Sequence, residues 1–152
     1  MQKDTKGSGF MKASRPQLNQ NCPVSATIHL IGGKYKALLL WHLMNQTLRF
    51  GKLHKLVPEA TPKMLTQQLR ELEHDGLIIR TVYAVVPPKV EYSLTEQGQS
   101  LFPILTAMYD WGSALMRKEG RTPQCSMAKD NTSPVKGFDC QHCSGKPEPK
   151  NP

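Results

Sequence analysis

The chain has 152 residues, 38% of them hydrophobic, and a formal net charge of +8. This length fits one domain with tails, and the chain contains no run of about 18 apolar residues that would span a membrane. Residues 1–15 and residues 113–152 each carry a net charge of +3, whereas residues 16–112 carry only +2. The total charge is therefore weak evidence for nucleic acid binding, although basic tails attract phosphates without regard to base sequence.

Residues 1–20 are polar and basic, and they show no hydrophobic period. They also lack the apolar core of a signal peptide. We expect a flexible basic arm here and a cytoplasmic protein.

Two helices are predicted next. The first begins at Pro23, carries apolar residues at positions 24, 28 and 31, and ends at the Gly32-Gly33 turn. The second covers residues 34–45, KYKALLLWHLMN, and is apolar on nearly all sides from Leu38 to Met44. Such a helix belongs at the centre of the core.

Residues 47–57 predict a short strand followed by a short helix. Leu48 and Phe50 alternate with polar residues, which is typical of an edge strand, and residues 51–57 follow as a helix with its apolar residues facing inward. A turn at residues 58–60 then leads into a further helix. Two helices joined in this way match a helix-turn-helix.

The second helix of that motif is predicted over residues 62–75. Thr61 is a capping residue, Pro62 suits the first helical position, and Gly76 is a stop signal. Three leucines form an apolar stripe, Leu65, Leu69 and Leu72, and the opposite face carries hydrogen-bonding groups, Lys63, Thr66, Gln67, Arg70 and His74. Such a helix fits the major groove of DNA, although an ordinary amphipathic surface helix has the same pattern.

A hairpin is predicted after Gly76, with strands at residues 77–83 and 90–94. Its tip contains Pro87-Pro88, which cannot donate hydrogen bonds to a strand ladder. Arg80 and Lys89 are available to contact phosphates. Directly after a helix-turn-helix, such a hairpin is a wing.

The last helix is predicted from a Thr95 cap to Met116, with Pro103 kinking or dividing it near residue 102. It carries two apolar stripes: Leu101, Ile104, Leu105, Met108, Trp111 and Leu115 in one, and Phe102, Tyr109 and Met116 in the other. We assign one stripe to the core and the other to a symmetry-related subunit. Residues 118–152 read as a cysteine-containing, disordered tail.

In this order the segments resemble the HxlR-type family of winged helix-turn-helix transcription regulators, which are MarR-like. The resemblance rests on CPVSATIHLIGGKYK, LRFGKL, TPKMLTQQLRELEHDGLI, RTVY, VPPKVEYSLTEQGQSL and the Trp111-Gly112 pair. It implies an α+β, mainly helical domain over residues 21–117, with a two-stranded wing and flanking dimerisation helices. It also implies a homodimer that binds double-stranded DNA and regulates bacterial transcription.

The resemblance also assigns the DNA-binding residues by position: Thr61, Pro62, Lys63, Thr66, Gln67, Arg70, Arg80, Pro87, Pro88 and Lys89. Arg70 has the chemistry to read guanine and Gln67 to read adenine, whereas Lys63 suits a phosphate. We expect a repressor on a pseudo-palindromic operator rather than an enzyme, because no catalytic motif is present. The alternatives are a protein-interaction winged-helix module, or a regulator whose effector is a small ligand or a metal.

Cys22 is a redox candidate, because it lies directly before the first helix. Partial positive charge at a helix start favours the reactive thiolate. The resemblance implies that the matching cysteine reacts with oxidants or electrophiles in redox-responsive members, whereas a small structural residue is the plainer interpretation.

Three further cysteines, Cys125, Cys140 and Cys143, lie in the tail. Zinc needs four ligands, so this CxxC with one distant partner is half of the usual pattern. Zinc, a redox pair and ordinary thiols remain open.

Overall fold

The computed structural model describes residues 21–123. Within them the chain forms α1 (Pro23–Ile31), α2 (Lys36–Leu43), β1 (Leu48–Arg49), α3 (Phe50–Leu56), α4 (Pro62–His74), β2 (Ile78–Tyr83), β3 (Lys89–Leu94), α5 (Glu96–Gln99) and α6 (Phe102–Lys118). None of these helices is long and apolar enough to cross a membrane. The predicted order of elements is confirmed.

The core is built around α2, as its composition predicts. This helix packs against α3, α4, β3 and α6, and its residues Leu39, Leu40 and Leu43 are buried. The expectation that Leu38 is also in the core is wrong, since this side chain is 46% exposed. The four neighbouring elements leave one side of α2 exposed to solvent, and Leu38 lies on that side.

The sheet is antiparallel with strand order β1-β3-β2. The predicted edge strand is shorter than expected, because α3 already begins at Phe50. Leu48 pairs with Tyr92, and both are buried at the base of the hairpin. In β2 only Ile78 is buried, so the β2–β3 hairpin projects from the domain as a two-stranded wing.

The last helical region is divided, as Pro103 predicts. Thr95 caps α5 by accepting a hydrogen bond from the Gly98 amide, and α6 starts at Phe102. The predicted grouping of its apolar residues is wrong. Leu105 is buried beside Phe102 and Tyr109, because the Tyr109 ring stacks on Trp41 of α2 at 5.5 Å and turns that face inward. The residues left exposed are Ile104, Met108, Trp111 and Leu115.

Candidate nucleic-acid interface

Local signals fix both ends of α4 where the sequence predicts them. The Thr61 hydroxyl accepts a hydrogen bond from the Met64 amide at 3.2 Å, and Pro62 occupies the first turn. At the other end Gly76 has φ +75°, and the Leu77 amide donates to the Leu72 carbonyl at 2.9 Å. This is the Schellman arrangement, which needs a residue that tolerates the left-handed conformation. Helix α4, which we call the reading helix, therefore has a defined length.

The two faces of α4 have opposite characters. Leu65, Leu69 and Leu72 are buried against the core, whereas Lys63 and Arg70 are exposed. The Thr66 hydroxyl donates to the Pro62 carbonyl at 2.8 Å, which leaves its oxygen lone pairs for an external donor. An exposed row of cationic and amide groups on one helix face is the chemistry that reads base edges.

A buried lysine lies behind this face, and it was not predicted from the sequence. Lys36 of α2 is 1% exposed, and its Nζ lies 2.9 Å from Oε2 of Glu71 and 3.7 Å from Oδ2 of Asp75. The other carboxylate oxygen of Glu71 accepts a hydrogen bond from Nε2 of Gln67 at 3.2 Å. The sequence signal that could have indicated this ion pair is a charged residue within an otherwise apolar helix. A lysine that is buried in such a helix needs an acidic partner.

The wing presents its two predicted cations differently. Arg80 is exposed. Lys89 is paired: its Nζ lies 2.8 Å from Oε1 of Glu91 and 4.7 Å from the centre of the Tyr83 ring. Arg49 of β1 approaches the same carboxylate at 3.8 Å. A phosphate near Lys89 would therefore compete with Glu91.

The hydrogen bond from Lys89 is the main cause that lowers the pKa of Glu91 below its usual value. A hydrogen bond from Tyr83 and the charges of Lys89 and Arg49 act in the same direction, while desolvation opposes them. The carboxylate therefore stays ionised at neutral pH and reduces the positive charge of the wing.

The wing tip is apolar. Val86 is fully exposed, Val85 is about half exposed, and the Val86–Pro87 peptide bond is cis. Pro88 is exposed beside them. A groove of about 490 Å³ separates the tip from Phe50 and Gly51 at the start of α3. The tip thus offers shape and apolar contact rather than charge.

Cys22 lies at the N-cap of α1, and its thiol is free and partly exposed. Its carbonyl accepts from the Ala26 amide at 2.9 Å, which closes the first turn. Cys125, Cys140 and Cys143 lie outside the described residues. Between residues 21 and 123 no cluster of histidine, cysteine, aspartate or glutamate is arranged to hold a metal ion.

The helix pair α3–α4, the exposed polar face of α4 and the β2–β3 hairpin that follows it define a winged helix-turn-helix DNA-binding protein.

Comparison with known proteins gives the family. The model of the HxlR-like helix-turn-helix family matches residues 30–120, and the chain belongs to this family of transcription regulators. It is 49% identical over 111 residues to the HTH-type transcriptional regulator YdeP of Bacillus subtilis, a match that covers 73% of this chain and 87% of YdeP.

Solved structures similar to this chain include the redox regulator HypR and the transcriptional regulator YodB. Oxidised HypR is 50% identical, with a TM-score of 0.59 over 61% of this chain and 96% of HypR. Reduced YodB of B. subtilis is 32% identical, with a TM-score of 0.54 over 60% of this chain and 91% of YodB.

Proposed function

We propose that this transcription regulator is a homodimeric repressor that binds a pseudo-palindromic operator in the cytoplasm. In this proposal α4 enters the major groove through Lys63, Thr66, Gln67 and Arg70, with Thr61 and Pro62 at its start. The wing contributes Arg80, Pro88 and Lys89. The observation that carries the proposal is the exposed polar face of α4. This helix is capped at both ends, and the leucines of its opposite face pack against the core.

The dimer is supported by apolar surface that the described residues leave uncovered. In α1 only Ile31 is buried, while Val24 and Ile28 are more than half exposed. Nine residues are too few for a stable isolated helix in water. On α6, Trp111 is also largely exposed. A second copy that covers both helices explains these faces, and a symmetric pair presents two reading helices to half-sites about 10 bp apart.

The test of DNA recognition is selection from a pool of randomised duplex DNA with the full-length protein. We expect an enriched inverted repeat, and mobility shifts on the enriched duplex should saturate at two subunits per site. Arg80→Ala and Lys63→Ala should weaken all duplexes, because both side chains are expected to meet phosphate. Selection that enriches no sequence, or that enriches an unrepeated half-site bound by a monomer, would contradict the proposal. If a reporter under the control of the selected operator is expressed more strongly when the gene for this protein is deleted, the protein represses transcription rather than activating it.

The redox response is proposed to begin at Cys22. Its thiolate sulfur attacks one oxygen of hydrogen peroxide and the O–O bond breaks. The products are a sulfenic acid and a hydroxide ion, which takes up a proton from solvent to become water. Two observations support this role: the partly exposed thiol at a helix start, and the similarity to HypR, whose structure is titled as that of a redox regulator.

Hydrogen peroxide should release wild-type protein from the selected duplex, and a thiol reductant should restore binding. The variant Cys22→Ser should bind the duplex equally well before and after oxidation. A tail variant with Cys125, Cys140 and Cys143 all changed to serine is the matched control. Release that persists in Cys22→Ser but disappears in the tail variant would assign the response to the tail instead.

A further inference from the structure

We infer that Lys36 is a positioning residue for base reading, acting on Gln67 through the carboxylate of Glu71. The inference rests on the proposed function, because it concerns how α4 reads DNA. It names a determinant of base specificity that lies in the core and does not itself reach the duplex.

The geometry forms a three-residue relay from the core to the surface. Lys36 Nζ lies 2.9 Å from Oε2 of Glu71, and Gln67 Nε2 donates to Oε1 of the same carboxylate at 3.2 Å. The two contacts therefore use different oxygens of the carboxylate. The lysine side chain is 2% exposed and that of Glu71 is 26% exposed, so the ion pair is shielded from water on the lysine side. A charge-assisted contact in such a place holds the carboxylate in one orientation.

The relay leaves Gln67 with the groups that adenine needs. An amide nitrogen carries two hydrogens, and one of them is donated to Glu71. The second hydrogen and the amide oxygen remain for N7 and N6 of adenine. The carboxylate can only accept, so it also determines which end of the amide faces it. A glutamine held in this way loses less side-chain freedom when it binds a base than an unrestrained one does.

The turn before α2 supports the position of the lysine. Gly33 has φ +136°, and a Cβ atom there would lie 2.7 Å from Oε1 of Gln68 on α4 and 3.4 Å from Cγ of Lys36. The absence of a side chain thus lets the turn approach α4 closely enough for Lys36 to reach Glu71. Asp75 at 3.7 Å adds a second negative charge beside the lysine.

The test compares base preference in the full-length protein by selection from randomised duplex DNA, followed by affinity measurements on single-base variants of the enriched site. Gln67→Ala first identifies the base pair that Gln67 reads. Lys36→Met should then lower the preference at that base pair about three- to tenfold and leave the preference at the base pair read by Arg70 unchanged. Lys36→Arg should retain most of the preference, because it keeps the charge. Lys118→Met removes the same charge from the exposed end of α6 and is the matched control.

Two outcomes of this comparison would overturn the inference. One is full preference at the Gln67 position in Lys36→Met. The other is an equal further loss when Lys36→Met is added to Gln67→Ala, since a residue acting through Gln67 has no effect once that amide is gone.

Loss of one partner from a buried ion pair destabilises a protein, so Lys36→Met alone is at risk of unfolding. The double variant Lys36→Met/Glu71→Met replaces both charges with apolar groups of similar length, which proteins tolerate better. It should fold and show the same loss of preference at the Gln67 base pair. Unchanged preference in the folded double variant would contradict the inference.

A measurement without DNA separates this inference from the proposed function. In ¹⁵N spectra of the wild-type protein, the two Gln67 side-chain amide protons should have well-separated shifts, and in the double variant they should move to the positions of a solvated glutamine. This shift supports the relay even if no DNA sequence is enriched. Identical amide signals in the two proteins would refute it even if the wild type reads an operator.

Discussion

Trp111→Ala tests the proposed subunit interface most directly. Trp111 is 71% exposed on α6, beside Met108 and Ile104, in a groove of about 730 Å³ that also includes Pro103 and Gly112. Isolated exposed apolar residues are common, but a tryptophan within an apolar groove marks a surface that binds something. If a second subunit covers this groove, removal of the indole should weaken the dimer.

The size of the effect follows from the exposed area. A tryptophan side chain buries roughly 200 Å² when fully covered, so about 140 Å² of Trp111 is available to a partner. Covering half of that area at about 25 cal/mol per Å² contributes about 1.8 kcal/mol per subunit. The residue occurs twice in a symmetric dimer, which gives about 3.5 kcal/mol and roughly a 300-fold increase in the dimer dissociation constant.

Sedimentation equilibrium over a wide range of protein concentrations would measure this constant. Val86→Ala is the control, because Val86 is a fully exposed apolar residue at the wing tip and not on α6. Far-ultraviolet circular dichroism at high protein concentration would establish that both variants are folded. A dissociation constant within about threefold of wild type for Trp111→Ala, or a wild-type monomer, would refute the reasoning.

Three further predictions concern the DNA interface and the core. Arg70→Ala should relax the preference for guanine at one position of each half-site by roughly 1–3 kcal/mol, measured on single-base variants, and an unchanged preference would exclude this role. Lys89→Ala should weaken all duplexes alike, with a change in salt slope below one ion because Glu91 already pairs with the lysine, whereas Glu91→Gln should strengthen binding to all duplexes. Burial lowers the pKa of His42 from its usual value near 6.5, so the folded protein favours the neutral imidazole. The contribution of His42 to the free energy of unfolding is therefore fully present above pH 6.5, and it falls by at most about 1.4 kcal/mol per pH unit below that pH. Urea unfolding at fixed protein concentration should show that His42→Leu removes this loss, and the loss should persist in His74→Gln.

The sequence predicted those parts of the fold that depend on local signals. The cap at Thr61, the stop at Gly76 and the leucine stripe between them act within one helix, so they can be read without knowledge of the rest of the chain. The strands of the wing follow from the same kind of evidence. The confirmed order of elements depends on these signals and on the family resemblance.

Prediction failed where burial depends on the neighbouring elements. Helix α2 is apolar on nearly every side, so its composition does not show that Leu38 is exposed while Lys36 is buried. The same difficulty applies to α6, where residues three and four positions apart can be grouped into stripes in more than one way. The stack of Tyr109 on Trp41 decides which face points inward, and that contact joins residues 68 positions apart.

One pairing could have been predicted and was missed. Lys89 directly precedes the strand predicted at residues 90–94, and β3 in fact begins at Lys89. Lys89 and Glu91 are thus two positions apart in one strand, and side chains at that spacing lie on the same face of a sheet. Opposite charges at such positions favour an ion pair, as the structure contains. The expectation that Lys89 is available to phosphates considered the residue type without its neighbour.

Helix α2 lies between the two surfaces that the proposed function requires. At one end Lys36 is paired with Glu71 on the reading helix, and five residues further along Trp41 stacks on Tyr109 of α6. The opposite face of α6 carries Trp111. Because packed interiors transmit displacement rather than absorb it, a change in how two subunits meet across α6 would move α2 and therefore the support beneath Gln67. An oxidised dimer that rearranges its interface would then lose base preference, and not only affinity, when it is tested on single-base variants of the selected duplex.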